Sequence, residues 1–169
     1  MKSPEEMRQI AKNNFLSGHN CSQAVVSAFF DELGEEVFGM NKETAQRMAA
    51  PFGGGMSRLR EVCGSVSGMF MVAGLLYGYG ENDPKSAKGE HYARIQELAK
   101  TYAARNGTII CRDLLGLPPK TASFQPESPK PEERTEQYYK KRPCADLAGE
   151  AAAILAQMII DDPPAKGKF

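Results

Sequence analysis

From Glu61 to Gly80 the chain reads EVCGSVSGMFMVAGLLYGYG, and the nineteen residues after Glu61 carry no charge. A run of that length has to be withdrawn from water, as a membrane span or as a helix covered by other helices. Five glycines, two serines and two tyrosines dilute its apolarity. The continuous apolar part, Met69 to Leu76, is far too short to cross a bilayer. The stretch therefore reads as a glycine-rich central helix, about 61–80, at the heart of a bundle. Gly64 and Gly68 are four apart, as are Gly74 and Gly78, so each pair shares one helix face. Glycine inside a helix costs about 1 kcal/mol against alanine. Close approach of a neighbouring backbone, which small residues at this spacing allow, is one compensation. Room around the Cys63 sulfur is another.

The other periodic segments are helical too. Ser3-Pro4-Glu5-Glu6 places a cap, a proline and two acids at the start of a helix running to about Leu16. Asn20 with Gln23 resembles a capping box. It opens a helix with an apolar stripe of Ala24, Val25, Ala28, Phe29 and Leu33, closed by Gly34. Asn41 caps a third, from Lys42 to about Ala50. PFGGGMSRLR follows as a loop, ahead of the uncharged helix. A further helix spans roughly Pro84 to Arg105, Thr108 caps a short one through Cys111 to Leu115, and a last runs from about Pro143 to Ile160. LPPKTASFQPESPKPEERTEQ holds five prolines and reads as a proline-rich surface loop, about 117–137. Strand alternation of useful length and internal repeats are both missing. The fold class is all-α, a compact multi-helix bundle forming one domain over 1–169.

Lys plus Arg number 21, as do Asp plus Glu, so the chain lacks the cationic excess that phosphate neutralisation demands. Nucleic acid is excluded as a partner on that ground, and nothing draws the chain to an anionic membrane. The first residues, MKSPEEMRQIAKNN, have no apolar core of signal-peptide length, which points to a cytoplasmic protein. The N-x-S/T triplets at Asn20 and Asn106 then carry no meaning for glycosylation.

In a reducing compartment the four cysteines, Cys21, Cys63, Cys111 and Cys144, suit metal, cluster or redox roles better than permanent disulfides. None forms a C-x-x-C pair, so any shared site is assembled by the fold. Cys21 follows the cap Asn20, Cys63 falls in the first turn after the glycine loop, and Cys144 follows Pro143. Free N–H groups and the helix dipole favour a thiolate at such starts, and Arg58, Arg60, Lys141 and Arg142 are near in sequence. Cys111 fits less well, inside a short helix. Against this stands plain burial, since free cysteine often only fills space.

The blocks NCSQAV, FGGGMSRLREVCGSVSG, GLLYG, CRDLLG and RPCADL occur in an order that resembles the C-GCAxxG-C-C family of redox-active proteins. In that family the second of four cysteines opens a Cys-Gly-Ala-x-x-Gly motif. Here it reads Cys63-Gly64-Ser65-Val66-Ser67-Gly68, with serine in the alanine place. Cys21, Cys111 and Cys144 match the other three positions. The resemblance spans about 13–155 and implies a redox role.

Three functions are consistent with these residues. Cys21, Cys63, Cys111 and Cys144 together suit an iron–sulfur cluster serving electron transfer to a redox partner protein, or a structural zinc. Alternatively Cys21 or Cys63, with a lowered thiolate pKa, is the attacking sulfur of a thiol–disulfide couple. A non-redox helical interaction module with filler cysteines is the third. The bound centre is favoured because four cysteines equal the needs of one cluster. Gly54, Gly55 and Arg58 are expected beside the bound group through amides and charge, and Gly64 and Gly68 as the space around Cys63. A homo-oligomer is allowed for. His19, two residues before Cys21, is a candidate proton donor or ligand; His91 reads as surface. The triple glycine lacks the strand and Lys-Ser/Thr of a phosphate loop. Phe52, Phe70, Tyr77 and Tyr79 read as core.

Overall fold

Local capping chemistry sets most helix starts. In the computed structural model, which describes residues 1–120 and 126–165, α1 (Pro4–Leu16) begins under Ser3, whose side chain accepts from the Glu6 N–H while Glu6 answers at the Ser3 N–H. Asn20 does the same with Gln23 for α2 (Cys21–Leu33). Asn41 caps α4 (Lys42–Ala49) through the Thr44 N–H at 2.8 Å. Two short helices lie outside the sequence expectations. One is α3 (Glu35–Phe38), a single turn too brief to show periodicity. The other is α9 (Glu136–Lys141), capped by Thr135 at the end of the proline-rich stretch. A 3-10 turn (Ala50–Phe52) and the turn α5 (Gly53–Met56) lead towards α6 (Gly64–Tyr77). Then come α7 (Lys85–Asn106), α8 (Cys111–Leu114) and α10 (Cys144–Asp161).

The fold class is all-α, and among the described residues the only ladder pairing is an isolated antiparallel bridge, Val62 to Ile110. That bridge explains two departures from the expected boundaries. It holds residues 61–63 extended, so α6 starts at Gly64 and Cys63 is its cap residue rather than part of its first turn. It also makes Ile110 the cap residue of α8, while Thr108 accepts from the Ile110 N–H one step earlier. At the other end α6 stops at Tyr77, because Gly78 is extended. Residues 117–120 and 126–135 are irregular and mostly exposed; the rest of the expected loop, 121–125, lies outside the described residues.

One buried cluster draws on α1, α2, α4, α6, α7 and α10. Met7, Ala11 and Phe15 form the inner stripe of α1, which packs most extensively on α10. Glu150 of α10 receives Arg8 of α1 and Arg105 of α7, tying three helices together. α2 and α6 form the next large contact. α2 buries nine of its 13 residues, α6 eight of 14 and α10 twelve of 18, so the uncharged helix shares the middle of the bundle with two others. Phe70 and Tyr77 pack partly on the core, while Tyr79 is exposed. Among the described residues no helix is long and apolar enough to cross a membrane.

The two glycine pairs differ. A Cβ on Gly68 would sit 2.7 Å from the Ser22 carbonyl oxygen, and one on Gly64 2.7 Å from that of Phe52, so the first pair admits backbone. Around Gly74 nothing lies within 4 Å, and Gly78 is spent on ending the helix. Gly68→Ala should therefore destabilise the fold by about 1–3 kcal/mol through overpacking. Gly74→Ala should stabilise it by up to about 1 kcal/mol through helix propensity. Chemical denaturation of the two variants checks both signs.

Candidate redox site

All four cysteines are free thiols and all are buried, none more than 9% exposed. Each stands at a helix start: Cys21 opens α2, Cys63 caps α6, Cys111 opens α8 and Cys144 opens α10. Cys111, the poorest fit by sequence, thus follows the same pattern. The Val62–Ile110 bridge pairs Cys63 with it. The Cys63 N–H donates to the Ile109 carbonyl at 2.8 Å and the Cys111 N–H to that of Glu61 at 2.7 Å. The two cysteines are diagonal neighbours on one face of this small ribbon, as alternation along extended strands requires.

The glycine loop lies against this group of cysteines, with Gly55 next to Cys111. Gly54, Gly55, Met56, Ser57 and Arg58 all have φ between 51° and 70°, and Arg60 follows at 61°. For an L-residue the left-handed region costs roughly 1–2 kcal/mol, and such strain lasts only where surroundings over-determine it. Here the Ser57 N–H donates to Gly53, the Leu59 N–H to Met56 and the Glu61 N–H to Gly55. Ser57 Oγ adds a bond to the Pro51 carbonyl. Gly55 has no alternative residue: a Cβ would lie 2.6 Å from that of Cys111. The Gly54 N–H is directed at the Cys21 sulfur.

A cavity of about 460 Å³ joins these parts, and all four cysteines line it. Arg58, Arg60, Arg134 and Arg142 share its wall with Phe15, Tyr138 and Leu147. Arg60, only 4% exposed, donates to Glu127 from Nε and Nη2 and brings Nη1 to 3.9 Å from the Cys111 sulfur. Burial opposes its charge, but Glu127 and Cys111 outweigh that and hold it protonated. Arg134 lies over the Phe15 ring at 4.6 Å and donates to the Phe15 carbonyl.

The family model described as "Putative redox-active protein (C_GCAxxG_C_C)" matches residues 19–158, a span that contains every one of these cysteines. The chain belongs to that family. No curated protein and no solved structure matches it.

For this C_GCAxxG_C_C protein the four sulfurs interact in every pairing. The thiol of Cys21 hydrogen-bonds Cys144; that bond, then burial, raises the Cys21 pKa, while the same bond lowers the Cys144 pKa below the ordinary value of 9.0 against the opposing effect of burial. Burial also raises Cys63, and it pushes Cys111 up to about 11 against the pull of Arg60. The lowered thiol is thus Cys144, not Cys21 or Cys63 as the helix starts alone imply. Dipoles do favour the thiolates, but desolvation and the neighbouring sulfurs are stronger at three of the four positions.

Of the other expected residues, Gly54, Gly64 and Arg58 reach the cavity wall. Gly55 stands behind it against Cys111, and Gly68 lies a turn further along α6 against Ser22. Lys141 is exposed. His19 is engaged elsewhere: its Nδ1 donates to the Asn14 carbonyl and its Nε2 accepts from Gln46, both at 3.1 Å. His91 is half-buried rather than exposed. Arg134, Tyr138 and Glu127 escape sequence reasoning, because nothing in the chain marks which part of a proline-rich segment folds back over the cysteines. Among the described residues no group of three or more His, Cys, Asp or Glu is arranged to hold a single metal ion.

Cys21→Ala removes the donor to Cys144. Burial then acts unopposed by that bond, so the alkylation profile of Cys144, followed by peptide mass spectrometry, should shift to higher pH. An unchanged profile excludes the hydrogen bond as the cause.

Proposed function

We propose that the four cysteines of this redox family member hold an iron–sulfur cluster and that the protein passes electrons to a partner protein. The observation that carries this reading is the convergence of four buried sulfurs, each from a separate helix start, on one cavity. The donor set fits such a group. Four thiols match four ligand places, and the repulsion among the thiolates that binding requires is offset by the cationic centre that takes the place of their protons. Arg134 favours the thiolate of Cys21, Arg60 that of Cys111 and Arg142 that of Cys144, so each of three sulfurs has a guanidinium to offset its charge. The N–H groups of Gly54, Ser65 and Val66 add hydrogen bonds to sulfur. A cavity of about 460 Å³ is the size for a polyatomic group, which ranks structural zinc below a cluster. When bound, such a centre supplies one-electron transfer.

The bond between Cys21 and Cys144 favours a second reading, a metal-free dithiol in which Cys144 attacks and Cys21 resolves. Anaerobic purification followed by absorption from 300 to 700 nm separates the two. Broad bands that bleach with dithionite, reduced by more than half in each single cysteine-to-alanine variant, are expected for the cluster. A colourless, iron-free protein that forms a Cys21–Cys144 disulfide on mild oxidation overturns it in favour of the dithiol.

A further inference from the structure

The sulfur of Cys63 differs from the other three in its neighbours. Two buried hydroxyls, those of Ser65 and Tyr102, stand near it. Ser65, fully buried, has an Oγ with no hydrogen-bond partner among the described residues. Tyr102, reaching in from α7, is also fully buried, and its hydroxyl meets only the Cys63 sulfur, at 3.9 Å. A buried hydroxyl without a partner is destabilising, and a neutral thiol is a weak acceptor. Two buried hydroxyls beside one sulfur are matched best by a sulfur that accepts strongly from both, as a sulfur bearing negative charge does. Burial keeps Tyr102 protonated, so it remains a donor. The Ser65 hydroxyl and the N–H groups of Ser65 and Val66 are directed at the Cys63 sulfur.

We infer that Ser65 and Tyr102 are positioning residues of the redox site, whose hydroxyls donate to the Cys63 sulfur and stabilise the state in which it carries the most negative charge. The inference rests on the redox reading above and assigns Cys63 as the sulfur through which the site is tuned. Reduction adds negative charge, so removing a donor to sulfur makes reduction less favourable.

The test compares Ser65→Ala, Tyr102→Phe and, as a control on the same helix turn, Ser67→Ala. In protein carrying its centre, the midpoint potential should fall in the first two and stay unchanged in the third. The expected size is up to about a tenfold change in the oxidised-to-reduced ratio, ~59 mV for one electron. Ser65→Ala, which only removes an oxygen, carries the test if Tyr102→Phe does not fold. Unchanged potentials in the hydroxyl variants overturn the inference. Protein that binds no centre fails the cluster reading instead. The same variants are then compared through the Raman S–H stretching band of Cys63, identified by its loss in Cys63→Ala. A band displaced by Ser65→Ala but not by Ser67→Ala supports the hydroxyl contact, and a band that stays in place overturns it.

Discussion

A thiolate buried beside another is opposed twice, by loss of hydration and by repulsion from its neighbour. Four of them around one cavity can be held only by a scaffold that offers compensating positive charge from several directions. The bundle does this with helix starts. α6, α8 and α10 have no side-chain oxygen over their first N–H groups, unlike α1, α2, α4 and α9. Cys63 stands in the cap place of α6 that serine, threonine or asparagine takes elsewhere, and Cys111 and Cys144 follow the caps Ile110 and Pro143 as the first residues of α8 and α10. Arginines complete the arrangement: Arg60 from the strained loop, Arg134 ahead of α9, and Arg142 just after it.

The supporting packing is dense at the points where the site depends on it. Gly64 lets α6 meet the Phe52 carbonyl beside Cys21, and Gly68 lets it meet α2. Gly55 brings the loop against Cys111. The stability that a side chain would supply at these positions is given up so that backbone from three segments can close around the sulfurs. Gly74, on the same helix but far from the cavity, makes no such contact.

What was legible in the sequence was what is decided within a few residues. Ser3, Asn20 and Asn41 announce their helices because a cap acts on the next turn, and α1 and α2 match in both ends, α2 also in its apolar face. Cys21 and Cys144 were placed at helix starts for the same reason. The position of Cys63 was one residue off and that of Cys111 was obscured, because both are set by a bridge between segments nearly fifty residues apart, which no local pattern encodes. The left-handed run from Gly54 to Arg58 was equally hidden, since Met56, Ser57 and Arg58 adopt it against their own preference. The order of acidity among the thiols depends on which sulfur faces which, and that is a property of the assembled bundle.

The extensive packing of α1 on α10 has a consequence for synthesis on the ribosome. Chains emerge from the N-terminus, and domains settle as their parts become available. Met7, Ala11 and Phe15 therefore have only the neighbouring α2 to pack on until a helix nearly the length of the chain away is made. The same late helix brings Cys144. An incomplete chain can neither cover its first apolar stripe nor gather all four sulfurs, so closure of the core and completion of the thiol set fall at one moment.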